Sequence, residues 1–138
     1  VVQNGVSLLG YTLSDTRVQS GDNALVSLYW SPNGVRVDPY QIRFLVFKEG
    51  QIVDRILYRH IAAWPVRRWP PDQYISGSFE IPLPAERGTY QIVMEIGVNT
   101  CEQLQISPCE TMTLSEIYDL RGPTGQQILL PEPIVVYN

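Results

Sequence analysis

The chain has 138 residues, 44% hydrophobic and 17% charged, with a net charge of −4 and a pI near 4.9. That length fits one domain, residues 1–138, with a single core, and the apolar content excludes a disordered chain. A weakly acidic domain lacks the positive face that nucleic acid requires, and no apolar run approaches the ~20 residues of a membrane-spanning helix.

Strand patterns then follow one another, separated by turn signals. Val6 to Leu13 reads as the first strand. Ser20-Gly-Asp-Asn23 is a turn by composition. Ala24 to Trp30 alternates, with Ala24, Val26, Leu28 and Trp30 on one face, and Trp30 is the expected core tryptophan. Ser31 to Gly34 reads as a turn. Tyr40 to Lys48 forms a strand with Ile42, Phe44 and Val46 on one side and Leu45 and Phe47 on the other. Glu49-Gly50 is a tight hairpin signal leading into Gln51 to Tyr58.

From His60 to Asp72 the alternation stops, and Pro65, Pro70 and Pro71 forbid a central strand or helix interior there. Ile75, Gly77, Phe79, Ile81 and Leu83 resume it. Pro84 to Gly88 turns the chain. Tyr90, Ile92, Met94, Ile96 and Val98 give the longest clean alternation. Met112, Leu114, Tyr118 and Leu120 mark one more strand, and Arg121 to Gly125 reads as a turn. Gln126 to Tyr137 supplies a last strand or two, broken by Pro131 and Pro133. Ile134 to Val136 could pair within the sheet or, as an open edge, with another copy of the chain.

Seven to nine short strands without a helical pattern predict an all-β, two-sheet antiparallel sandwich of immunoglobulin or fibronectin type III style. Gly88-Thr-Tyr90, opening the longest strand after a proline turn, predicts a tyrosine corner, in which the phenol bonds back to the preceding backbone.

Leu8-Leu-Gly-Tyr11, Ser20-Gly-Asp22, Leu28-Tyr-Trp-Ser31, Trp69-x-Pro71, Ile81-Pro-Leu-Pro84 and Gly88-Thr-Tyr90 occur in that order. This series resembles the extracytoplasmic β-sandwich accessory domain appended to Chloroflexi-type membrane glycosyltransferases and related envelope proteins. The resemblance spans roughly residues 4 to 97. The chain departs from that pattern where Asp72-Gln73 replaces a Gly-Glu and Ile96-Gly97-Val98 a Gly-Leu-Tyr. It implies an accessory module whose parent protein carries the catalytic machinery elsewhere. The chain opens within a few residues of a strand pattern, so a leader or membrane segment is expected upstream.

The chemistry of the residues agrees with a non-enzyme. His60 is the single histidine, no Gly-x-Ser-x-Gly elbow or phosphate-cradling glycine loop occurs, and fourteen scattered acids define no pair. No cofactor and no metal site are expected: Asp15 and Asp22 lie in turns without a spaced ligand set, and two cysteines with one histidine cannot complete a zinc site. Cys101 and Cys109 suit a local disulfide better than free thiols, worth roughly 2.5 kcal/mol by loop closure. That disulfide and the resemblance together place the domain outside the cytoplasm.

One segment has the composition of a ligand site. Trp64, Trp69 and Tyr74, with Arg67 and Arg68, could stack on sugar rings and grip an anionic group. The same aromatics could instead pin a proline-rich crossover across the open end of the sandwich, and burial tendencies favour that anchor. The primary expectation is a non-catalytic envelope module contacting neighbouring domains; the alternative is a carbohydrate-binding module built on those five residues.

Overall fold

A computed structural model describes residues 6–32, 40–58, 61, 74–99, 112–114, 117–119 and 122–137. Among them there is no helix, and twelve strand segments form two packed sheets and a small hairpin. The first sheet has the order β1-β3-β6, from Val6–Leu13, Asn23–Pro32 and Ile75–Pro82. The second has the order β2-β12-β7-β4-β5, from Arg17–Gln19, Ile134–Tyr137, Gly88–Asn99, Tyr40–Lys48 and Gln51–Tyr58. Two short strands, β11 (Gln127–Leu129) and β8 (Met112–Leu114), also pair with β7. They lie above β12 along its length, at Val93 to Glu95 and at Gly97 to Asn99.

The core follows from alternation. Ala24, Val26, Leu28 and Trp30 of β3 and Phe79 and Ile81 of β6 face Ile42, Phe44 and Val46 of β4 and Tyr90, Ile92, Met94 and Ile96 of β7. All are buried, and each fully buried large aliphatic side chain contributes about 1.5–3 kcal/mol. The sheets meet through Phe79, whose ring lies 5.4 Å from Phe44 and 5.0 Å from Tyr58. The Tyr58 hydroxyl also donates to the Glu80 carbonyl on the other sheet. Trp30 is the expected core tryptophan, and its indole N–H donates to the Ile61 carbonyl at 2.9 Å.

Both turn expectations at the ends of β4 and β7 hold. Glu49 and Gly50 take φ of 54° and 79°, the paired positive values of a type I′ hairpin. The Tyr90 hydroxyl donates to the Glu86 carbonyl at 2.7 Å, which is the tyrosine corner.

The differences concentrate where strands are short. The count of seven to nine rises to twelve because several segments are only three or four residues long. Arg17–Gln19 becomes β2 because the chain leaves the first sheet after Leu13 and crosses to the second, where it pairs in parallel with β12. The sandwich is therefore antiparallel except for this one ladder among the described strands. The expected single strand from Met112 to Leu120 is two, β8 and β9 (Ile117–Asp119). The expected turn at Arg121 to Gly125 is instead strand β10 (Gly122–Gly125), paired with β9. That hairpin is two-stranded, so Pro123 can sit in it as an edge residue and Gly125, at φ 118°, closes its bulged end. Strand β3 continues through Ser31 to Pro32, and residues 33–39 lie outside the described set. Ile134 to Val136 is no open edge: β12 lies between β2 and β7.

Candidate functional site

The sandwich presents two outer faces of opposite character. On the seven-stranded side, Gln41, Arg43, Leu45 and Phe47 alternate outward from β4. Register sets Arg43 against Glu95, Leu45 against Val93 and Phe47 against Gln91 of β7. Beyond β4, Leu57 lies opposite Arg43 and Ile52 opposite Phe47; beyond β7, Gln127 lies opposite Glu95 and Leu129 opposite Val93. The result is an apolar layer of Leu45, Phe47, Ile52, Leu57, Val93 and Leu129, interrupted on β5 by Arg55, which lies opposite Leu45.

At its centre Glu95 is 2% exposed and fully paired. Arg43 reaches its Oε1 through Nε at 2.8 Å and Nη2 at 2.7 Å, and Gln127 Nε2 donates to Oε2 at 2.8 Å. Such pairing is what a buried carboxylate requires, and it leaves the centre of the layer without net charge. At the flanks Ile52, Leu57 and Leu129 are exposed, at 38, 41 and 53%.

On the three-stranded side two adjacent rows of outward residues are rich in hydroxyls. Thr12 of β1, Ser27 of β3 and Ser78 of β6 form one row across the sheet. Ser27 and Ser78 share a hydrogen bond at 2.9 Å, and the Thr12 hydroxyl lies 3.4 Å from the Tyr29 phenol. The next row is Gly10, Tyr29 and Ser76. Tyr29 is 38% exposed, and a Cβ built on Gly10 meets no atom within 4 Å, so the flank of Tyr29 is open.

Of the five residues expected to form a ligand platform, Trp64, Arg67, Arg68 and Trp69 lie outside the described residues, as do Cys101 and Cys109. Tyr74 is described and is 77% exposed, the most exposed large hydrophobic residue among them. Neither Tyr29 nor the Arg43–Glu95 pair stands out in the sequence as a site. Each looks like an outward strand residue until register brings in a neighbour from about fifty residues away.

Among the described residues no group of three or more metal-ligating side chains converges. Titration is shifted at three places. Burial, reinforced by Glu80, raises Tyr58; burial, reinforced by Glu132, raises Tyr11; the hydrogen bond to Glu86 raises Lys48.

No family model and no curated protein matches the chain. Among solved structures, the CARDB domain of the PF1109 protein from Pyrococcus furiosus, crystallised in complex with di-metal ions, is similar at 12% identity and a TM-score of 0.47. That alignment covers 96% of this chain and 87% of the other.

Proposed function

We propose that the chain is a non-catalytic, extracytoplasmic interaction module of a larger cell-envelope protein. The observation that carries this reading is the apolar layer on the outer face of the seven-stranded sheet. An antiparallel sheet with one solvated face normally alternates polar residues outward. Here the outward positions hold Leu45, Phe47, Ile52, Leu57, Val93 and Leu129 around a neutralised ion pair, with Arg55 and Gln91 as the polar exceptions opposite Leu45 and Phe47. Of these apolar residues, Ile52, Leu57 and Leu129 are exposed while Leu45 is buried; exposed apolar side chains gathered on one face mark a contact region, and a neighbouring domain of the same envelope protein is the contact we assign to it. The resemblance of the short-motif order to envelope accessory domains supports the same reading.

The test places Leu57→Asp and Leu129→Asp, together, in the complete polypeptide. The isolated domain keeps its melting temperature, because both side chains are exposed. In the complete polypeptide the junction with the neighbouring domain is cut severalfold faster by a dilute protease. An unchanged cutting rate contradicts the assignment.

A second reading, carbohydrate binding, is favoured by the exposure of Tyr74, which leaves its ring free to stack.

A further inference from the structure

The structure assigns a neutral-glycan binding strip to the outer face of the three-stranded sheet, with Tyr29 and Tyr74 as stacking rings and the Thr12–Ser27–Ser78 row as the polar contact. The inference rests on the carbohydrate reading above and deepens it by naming the surface, the residues and the ligand class.

Three observations carry it. First, one exposed phenol ring lies on β3 and a second immediately precedes its neighbour β6. Ser76 is the register partner of Tyr29, and Tyr74 precedes it by two residues. Ile75 faces inward opposite Trp30, so alternation carried back one residue puts Tyr74 on the side of Ser76 and Ser78. Diagonal neighbours of an antiparallel pair lie about 7–8 Å apart, close enough for both rings to touch one oligosaccharide. Second, the surface beside the rings is rich in short hydroxyls. Ser27, Ser76, Ser78 and Thr12 can each donate and accept, as sugar hydroxyls do. The open flank at Gly10 leaves room for a ring to lie against Tyr29.

Third, charge selects the ligand. Of the outward residues Asn23, Leu25, Ser27, Tyr29, Ser76, Ser78 and Glu80 on the two paired strands, Glu80 alone is charged, and it lies at the far end beside Asn23. Among the described residues of these two strands a charged ligand finds no counter-charge near the rings, and an anionic one approaches a domain of net charge −4. A neutral polyol with apolar C–H faces matches both the rings and the hydroxyl row. Carbohydrate recognition on this strip needs no arginine, which separates it from the expected platform at Trp64, Arg67, Arg68 and Trp69.

The test is calorimetric titration of the 138-residue chain with cellohexaose, mannohexaose, β-1,3-glucohexaose and, as an acidic probe, a hyaluronan hexasaccharide. Saturable binding of at least one neutral probe is expected. Tyr29→Ala and Tyr74→Ala each weaken it tenfold or more, Tyr29→Phe retains most of it, and Leu57→Asp on the opposite face leaves it unchanged. Circular dichroism confirms that each variant is folded, which the exposure of these side chains allows. Absence of heat with every neutral probe at millimolar concentration overturns the proposal, as does binding that survives both alanine variants or is confined to the acidic probe. Concentration-dependent self-association lost in Tyr29→Ala would assign the face to a second copy and overturn it equally. Because Leu57→Asp probes the other face, loss of the glycan strip leaves the contact reading to be judged on its own experiment.

Discussion

The Tyr90 hydroxyl donates to the Glu86 carbonyl at 2.7 Å, tying the start of β7 to the turn that feeds it. Lys48 completes the corner from β4. Its ammonium meets Glu86 Oε1 at 2.8 Å and the Arg87 carbonyl at 3.3 Å, and lies 5.6 Å from the centre of the Tyr90 ring. Gly88 makes room for that crossing, since a Cβ there would stand 2.9 Å from Lys48 Cε. Tyr90→Phe keeps the buried ring and removes only the hydroxyl. The expected loss is about 1 kcal/mol, because the turn around Glu86 is exposed and water can replace part of the bond. Urea unfolding should show a lower midpoint with an unchanged slope.

The Arg43–Glu95 pair should behave as a unit. Glu95→Leu alone strands the arginine and the Gln127 amide, and breaking a buried pair from one side costs about 3–5 kcal/mol. Arg43 is partly exposed, at 26%, so the loss falls at the lower end, about 3 kcal/mol. Arg43→Leu with Glu95→Leu recovers more than half of that. A double-mutant cycle reads the coupling, and simple additivity of the two single losses would contradict it.

Alkaline pH should destabilise the fold. Tyr58 and Tyr11 are raised above 10.0 by burial first and by Glu80 and Glu132 second, and Lys48 is raised above 10.5 by its bond to Glu86. Each group keeps its proton longer folded than unfolded. Above the unfolded values the native state therefore binds more protons, and stability falls as pH rises from about 10 through the folded values. Tyr58→Phe lowers stability at neutral pH by removing the bond to Glu80, yet makes the decline above pH 10 shallower. Equal slopes for the two proteins in chemical denaturation at pH 9.5 to 11 would contradict this origin.

The β4–β5 hairpin can be improved. Glu49 holds φ at 54°, a conformation that suits asparagine better than a longer side chain, and Gly50 already occupies the second positive position. Glu49→Asn should stabilise the domain by about 0.5 kcal/mol, seen as a higher melting temperature.

The long strands were legible because their inward residues are apolar at every second position, as in Ala24, Val26, Leu28 and Trp30. Glu49-Gly50 and Gly88-Thr-Tyr90 were legible because few conformations suit those residues. A three-residue strand such as β2 has only Val18 facing inward, too little for a period, and its parallel partner β12 is more than a hundred residues away. Gly122 and Pro123 carry the composition of a turn although they pair with β9. The two outer faces escaped for a related reason. Alternation says that Glu95 and Tyr29 point outward, but only register sets Arg43 beside the one and Ser76, two residues past Tyr74, beside the other.

The contact reading is tested most directly by methyl NMR with a soluble paramagnetic probe, comparing the isolated chain with the longer polypeptide in which we propose that it sits. In the isolated chain the methyl groups of Ile52, Leu57 and Leu129 should relax strongly, as exposed groups do, alongside Leu25 on the opposite sheet. In the complete polypeptide the first three should lose most of that enhancement while Leu25 keeps it. Enhancement at Leu57 and Leu129 that is the same in both would mean that nothing covers this face, and would contradict the assignment.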